Sequence, residues 1–388
     1  MKYSVITFGC RVNQADSLSI EAQLCAGGGE AVSADRADLV IVNTCSVTAS
    51  ADQGARQTIR RIARTNPGAK IIATGCYASR CPDELAALPG VAQVVSNDRK
   101  LSIPLAFVEG ACGRPLAPGL MGRTAWTLRV QTGCEEKCSY CIIPTTRGAS
   151  RSRTPAEIFE EVDRVVAAGY KEIAITGVHL GSYGRDLSPK STLRELINAL
   201  SSAAGVLFRV SSLEPMDFPP DIVERVAPHF HLPLQHASNR ILRLMRRPYT
   251  IERYAEIVDD IRARLPHAAI GSDVIVGFPG ETDADFDELT SYLERSPLTH
   301  IHVFPYSDRP GTEASVLPDK VHGAVVKARG ERLRQISSRL HDRFRAAIAG
   351  STRPALTIED GSVAMTDNYV RVAAPPGHAR NEWIEVTL

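Results

Sequence analysis

The sequence predicts an α/β protein in three parts. These are an N-terminal parallel α/β domain over residues 1–100, a central partial barrel of six β/α units within 127–349, and a small barrel-like β module over 350–388; residues 101–126 form a linker. Three observations predict this. Short apolar runs alternate with helical patterns over the first hundred residues, a second and longer series of the same kind begins near residue 128, and past residue 350 the pattern changes to period two.

In the first part, YSVITF (3–8), DLVIVN (38–43) and KIIATG (70–75) read as buried strands, with amphipathic stretches at about 14–26 and 50–65 between them. Strand, helix, strand in this rhythm implies parallel pairing with right-handed crossovers. Pro104, Pro115 and Pro118 break any period in the linker. The second series has strands at 128–132, 172–176, 206–213, 230–235, 270–277 and 300–305. Between the first two lies TPAEIFEEVDRVVAAG, where Thr154, Pro155 and Glu157 form a helix start and Gly169 a stop. Six units suit an open barrel rather than the closed eight-unit one. A basic helical stretch at about 321–349 precedes the last module, whose runs PALTIED, YVRVAA and WIEVTL are short and alternating.

Composition narrows the class. With 44% hydrophobic and 23% charged residues among 388, the chain is a globular protein and not a disordered one. The opening MKYSVITFGC is too short for a secretory signal, and no run of eighteen apolar residues occurs, so a cytoplasmic location is expected. In a reducing compartment the nine cysteines are core residues, metal ligands or reactive thiols.

Their spacing separates these roles. GCEEKCSYC (133–141) sets Cys134, Cys138 and Cys141 on one short loop directly after a strand. Soft thiolates favour iron–sulfur chemistry or zinc, and a closed zinc site would need a fourth ligand close by, which no downstream cysteine supplies. A three-thiolate 4Fe-4S cluster leaves one iron open for a substrate or cofactor. Cys10, Cys45 and Cys76 each follow a predicted strand, in VITFGC, VIVNTC and IIATGC. In a parallel sheet those strand ends point the same way, so the three thiols converge on one edge, where open α/β sheets bind ligands. Cys25, Cys81 and Cys112 match neither set and read as core or spectator thiols.

The loop at 133–141, with Tyr140 just before its third cysteine, resembles the radical S-adenosylmethionine (SAM) signature. In that superfamily the open iron chelates SAM, and one electron cleaves the sulfonium to give a 5′-deoxyadenosyl radical. With both triads considered, the chain resembles the radical SAM methylthiotransferases nearly end to end. The blocks are FGCRVNQADS, VNTCSVT, GCYASR, GCEEKCSYCIIPTTRG, ITGVHLGSYG, SSLEP, HLPLQHASNRIL, SDVIVGFPGET and FPYSDRPGT, in order. The resemblance implies two 4Fe-4S clusters. The one on Cys134, Cys138 and Cys141 binds SAM; the auxiliary one on Cys10, Cys45 and Cys76 delivers sulfur. It further implies SAM contacts near Tyr140, Gly177, Ser212, Glu214 and Val276, a radical SAM core with its C-terminal helix over 127–349, and a short RNA-binding TRAM-like module at 350–388, with TDNYVRV (366–372) as the matching stretch.

Within the family, GCRVNQ around Cys10 resembles the branch that modifies N6-threonylcarbamoyladenosine beside the anticodon of tRNA. The alternatives are the branches for isopentenyladenosine in tRNA and for a ribosomal-protein aspartate; from another class, a zinc-stabilised RNA-binding protein without catalysis. The expected partners are tRNA and a low-potential electron donor such as flavodoxin or ferredoxin, with no membrane. Charge placement supports RNA: the net charge is only +1, but Arg56, Arg60, Arg61, Arg64, Lys70 and Arg80 occur without an acid between 53 and 82. Arg240, Arg243, Arg246 and Arg247 form a second such run, and Arg332, Arg334, Arg339, Arg343 and Arg345 dominate the last helix. His179, His231, His236, His300 and His302 lie near strand ends and are expected to be hydrogen-bonded scaffolding, with no Ser-His-Asp or zinc set among them.

Overall fold

The computed structural model describes residues 1–107, 115–202 and 205–388, so Cys112 and part of the linker lie outside the described residues. The chain forms two compact units, one from residues 1–136, 141–170 and 176–178, the other from 137–140, 171–175 and 179–388.

The first unit opens with β1 (Lys2–Thr7), α1 (Arg11–Ala26), β2 (Glu30–Ala31), β3 (Leu39–Thr44), α2 (Ala49–Thr65), β4 (Lys70–Gly75), α3 (Cys76–Arg80), α4 (Pro82–Ala86) and β5 (Val91–Val95). The five strands pair in parallel in the order β2-β1-β3-β4-β5. Central β3 is buried at every position, as a strand covered on both faces must be. Its alternation assigns the faces. Leu39 and Ile41 meet Ile20 and Leu24 of α1, whereas Val40 and Val42 meet Ala55, Ile59 and Ile62 of α2. Each such buried aliphatic side chain contributes roughly 1.5–3 kcal/mol. The apolar positions of α2 recur at helical spacing, which leaves Arg60, Arg61 and Arg64 exposed.

The same unit continues through β6 (Trp126–Arg129), β7 (Gln131–Thr132), α5 (Ile143–Arg147), β8 (Arg151–Ser152) and α6 (Pro155–Ala167). Helix α6 starts where its sequence predicts: Thr154 and Glu157 form a reciprocal capping box with Pro155 in the first turn.

The second unit contains β9 (Glu172–Thr176), α7 (Leu193–Leu200), β10 (Leu207–Val210), β11 (His229–His231), α8 (Asn239–Leu244), α9 (Ile251–Arg264), β12 (Ala269–Val276), α10 (Asp283–Arg295), β13 (His300–Pro305) and α11 (Gly323–Ile348). β9 pairs with β10, and β11, β12 and β13 form a parallel three-stranded sheet. The Leu213 N–H donates to the His231 carbonyl at 2.9 Å and joins the two sets. One expected helix is missing: after β10 the chain makes two short 3-10 turns, at Pro215–Asp217 and Pro220–Ile222. Pro215, Pro219 and Pro220 remove the donors an α-helix needs there.

The last module is a four-stranded antiparallel sheet, β14 (Thr352–Ile358), β15 (Val363–Thr366), β16 (Arg371–Ala373) and β17 (Trp383–Thr387), in the order β16-β15-β14-β17. Its link between β15 and β16 is not a free surface. Thr366, Asn368 and Val370 are buried, the Asn368 amide donates to the His267 carbonyl at 2.9 Å, and the Tyr369 ring lies 4.5 Å from that of His229. The stretch expected to carry RNA recognition therefore also holds the module within its own unit. No helix among the described residues is long and apolar enough to cross a membrane.

Candidate functional site

In the first unit, Cys10, Cys45 and Cys76 stand just beyond the ends of adjacent parallel strands β1, β3 and β4. Cys10 is exposed; Cys45 and Cys76 are buried. The backbone is shaped for their approach. Gly9 has φ +95°, and a Cβ there would fall 2.5 Å from both Cβ and Sγ of Cys45. Gly75, at φ +97°, would collide with the Thr44 carbonyl at 2.2 Å. The Asn13 amide donates to the Phe8 and Thr44 carbonyls at 2.8 and 2.9 Å, tying the ends of β1 and β3 together.

Behind the thiols lies a buried charge network that the sequence did not reveal. Lys100, with 0% exposure, pairs with Asp16 and donates to Asn97 Oδ1 at 2.9 Å. Arg147, also buried, donates to Asn13 Oδ1 at 2.5 Å and to Thr132 Oγ1 at 3.1 Å, while Arg129 pairs with Asp16 from the other side. Burial would raise the Asp16 carboxyl, but Lys100, Arg129 and Arg147 outweigh it and hold it at about 2. Burial lowers the Lys100 ammonium to about 8 against the pull of Asp16. The thiols differ. Burial pushes Cys45 up to about 12, with Cys10 and Cys76 adding to it, whereas at Cys76 burial is overcome by Arg147 and Lys100 and the thiol is lowered. The donor set suits an iron–sulfur cluster: three thiols at one sheet edge, cations behind them, and an Arg147 Nε buried with no partner among the described residues.

The second triad lies on the loop between β7 and α5. Gly133 (φ +76°) is obligatory, since a Cβ would sit 1.9 Å from the Ala149 carbonyl oxygen. The Cys134 N–H donates to the Gly148 carbonyl at 3.0 Å, and the Glu136 N–H to the Cys134 sulfur at 3.4 Å. Within the second unit, the Ser139 N–H donates to the Met245 carbonyl at 3.1 Å, and Tyr140 packs edge-on against Phe278 at 6.5 Å. Arg247 Nη1 donates to the Cys138 sulfur at 3.1 Å; its Nη2 pairs with Glu214 and its Nε donates to the Tyr249 hydroxyl at 3.2 Å. Glu214, expected near SAM, is thus tied through one guanidinium to a cysteine of the motif.

The remaining expected residues are placed as follows. Gly177 follows β9. Val276 ends β12, wholly buried, and its carbonyl accepts from the Tyr306 N–H at 2.8 Å. After it, the Glu281 carboxylate accepts from the Gly277 and Phe278 N–H groups at 2.6 and 3.2 Å and pairs with buried Arg329 at 2.6 Å, fixing the loop. Ser212 brings a correction. The expectation that no Ser-His-Asp set assembles does not hold: Ser212 Oγ lies 2.8 Å from His231 Nδ1, and His231 Nε2 lies 3.1 Å from Asp273. His302 completes a group whose potential ligand atoms lie within 4.8 Å of one another. Only the strand register, invisible in sequence spacing, brings these together.

Part of the basic runs is neutralised in space. Arg240 pairs with Asp285, Arg246 with Glu313 and Arg247 with Glu214; Arg332 and Arg339 share Glu294. A stretch free of acids in sequence meets acids from distant elements in space. On α2, Arg56 pairs with Glu84, but Arg60, Arg61 and Arg64 are exposed and have no ion pair among the described residues.

The radical SAM superfamily matches residues 128–293, and the uncharacterized protein family UPF0004 matches residues 2–96. The chain is 37% identical to a threonylcarbamoyladenosine tRNA methylthiotransferase MtaB of Aquifex aeolicus, over 96% of each chain. The chain belongs to the radical SAM methylthiotransferase family. An MtaB of Bacillus subtilis is 35% identical over 94% of this chain and 88% of its own. A tRNA-2-methylthio-N(6)-dimethylallyladenosine synthase of Thermobifida fusca is 33% identical over 92% and 78%. Among solved structures, the radical SAM methyltransferase TsrM of Kitasatospora setae aligns with TM-score 0.58 over 81% of this chain and 77% of its own; at 14% identity this shows the fold alone. Family membership makes the chain an enzyme that transfers a sulfur-containing group and uses SAM with iron–sulfur chemistry, which sets aside the zinc-stabilised, non-catalytic reading.

Proposed function

We propose that this methylthiotransferase adds a 2-methylthio group to N6-threonylcarbamoyladenosine beside the anticodon of tRNA. The observation that carries the reading is the near full-length identity, 33–37%, to four enzymes named for that nucleoside, against 30–33% for those named for dimethylallyladenosine. Residues 1–100 carry the auxiliary site on Cys10, Cys45 and Cys76; 127–349 carry the radical SAM site on Cys134, Cys138 and Cys141; 350–388 form the C-terminal module. When bound, a 4Fe-4S cluster at the second triad would supply the electron that cleaves SAM, and one at the first would supply sulfur.

The protein's own groups support this division. Arg247 sets a buried positive charge beside the Cys138 sulfur, to which it donates at 3.1 Å. Lys100 and Arg147 set two more beside Cys76 and lower its thiol against burial, which favours the thiolate there. Tyr140, Gly177, Ser212, Glu214 and Val276 are proposed to line the SAM site. The partners are tRNA, met in part by the exposed arginines of α2, and a flavodoxin- or ferredoxin-like donor. Mass spectrometry of tRNA nucleosides from a deletion strain, before and after complementation, tests the reading. Loss and recovery of 2-methylthio-N6-threonylcarbamoyladenosine is expected; change in the dimethylallyl derivative alone would overturn the substrate assignment.

A further inference from the structure

In the sheet β11-β12-β13, alternation puts every second residue on one face. Asp273 stands opposite His302, Gly271 stands between His231 and His300, and Ile275 stands opposite Phe304. Gly271 is required there, because a Cβ would fall 2.3 Å from His300 Nε2. The alternate residues Ile270, Val274, Val276 and Ile301 are buried on the other side. The face with the histidines is the open one: Asp273 and His231 are partly accessible, and His302 and Phe304 are exposed. An aspartate and imidazoles on an open strand face are an unusual lining, since such positions are most often filled by branched aliphatics.

Each group has a defined state of engagement. Asp273 Oδ1 lies 3.1 Å from His231 Nε2, and the other His231 nitrogen lies 2.8 Å from Ser212 Oγ. The His302 ring lies 5.7 Å from that of His231. Arg247 is committed to Glu214 and Cys138, and Arg185 to Asp217 at 2.7 Å; Arg209 pairs with Glu172 at 3.0 Å and lies over the Tyr369 ring, with its Nη2 buried and unpartnered among the described residues. With both His231 nitrogens engaged, His302 is the imidazole left to donate, beside the Asp273 carboxylate.

We propose that His302, with the Asp273–His231 pair beside it, is the subsite that reads a polar, carboxylate-bearing N6 substituent on the target adenosine. The inference rests on the functional reading above and names the residues behind its substrate choice. A threonylcarbamoyl group offers a carboxylate for the His302 N–H and a hydroxyl for Asp273. A dimethylallyl group offers neither and would desolvate Asp273 and His302 without replacing their hydrogen bonds. Sites built around hydrogen bonds reject apolar analogues far more strongly than apolar pockets reject polar ones. A divalent cation would use the same three side chains, and its binding is one of the outcomes of the test.

The test uses anaerobically reconstituted holoenzyme and anticodon stem-loops that carry threonylcarbamoyladenosine, dimethylallyladenosine or plain adenosine. The readout is the ratio of dissociation constants between the modified and plain stem-loops. Wild-type enzyme prefers the threonylcarbamoyl stem-loop. His302→Phe lowers that preference about 10- to 100-fold, as loss of a hydrogen bond to a charged group predicts, and His302→Gln, which keeps a donor, recovers part of it. Iron content and circular dichroism report folding. A wild-type preference that His302→Phe leaves unchanged overturns the inference alone, as does one equivalent of non-iron metal that is lost in His302→Phe. A wild-type enzyme that prefers the dimethylallyl stem-loop overturns the substrate reading itself.

Discussion

The Arg247 guanidinium donates to the Cys138 sulfur at 3.1 Å while its far nitrogen is held by Glu214. Two residues more than thirty positions apart, and over seventy from the motif, thus converge on one cysteine. Glu214→Gln leaves Arg247 buried with its ionic partner gone, and removing one member of a buried pair costs about 3–5 kcal/mol. Thermal unfolding should show a drop of several degrees, together with weaker retention of iron at the radical SAM triad. Unchanged melting and full iron in the variant would separate Glu214 from any such role.

The two triads should fail differently. Cys138→Ala is expected to abolish SAM cleavage, whereas Cys45→Ala leaves cleavage but no sulfur insertion. Wild-type protein should bind about eight irons and each variant about half. Product analysis by mass spectrometry, scored beside iron content, checks the division of labour; equal loss of both activities in both folded variants would contradict it.

Gly9→Ala tests the geometry of the auxiliary site without touching a ligand. The new methyl would lie 2.5 Å from Cys45 Sγ at a φ of +95°, so either the β1 end or Cys45 must move. Loss of about half of the iron is expected, with SAM cleavage retained.

Asp16 makes a pH prediction. Its carboxyl is lowered from 3.8 to about 2 in the fold. A depressed acid stabilises above its unfolded value and loses that contribution as pH falls through its folded one. At roughly 1.4 kcal/mol per unit, this comes to about 2 kcal/mol. In denaturant titrations of the metal-free protein, Asp16→Asn should be less stable than wild type at neutral pH, with the gap closing between about pH 4 and 2.

Much of this architecture was legible in the residues. Buried runs such as LVIVNT are continuous because β3 is covered on both faces, and Thr154, Pro155 and Glu157 announce α6 through local capping chemistry. Cys10, Cys45 and Cys76 could be grouped because each follows a strand, and parallel strands share a direction. What could not be read depends on pairing between distant elements. Nothing near Lys100 in sequence announces that it will be buried against Asp16, and nothing in HIHVFP says that His302 will face Asp273. The arginine run at 240–247 is acid-free only in sequence: the counter-charges of Arg240, Arg246 and Arg247, namely Asp285, Glu313 and Glu214, come from three other segments.

The docking of the C-terminal sheet bears on how its role can be dissected. Tyr369 lies tilted against His229 and under Arg209, and Asn368 holds the His267 carbonyl just before β12. A chain cut before Thr352 would strip these groups from the base of the strands that carry His231 and Asp273. Weaker RNA binding by such a truncation would then mix a lost contact surface with a loosened catalytic scaffold. Substitutions at outward positions such as Arg371 or Trp383, which leave the anchor intact, separate the two.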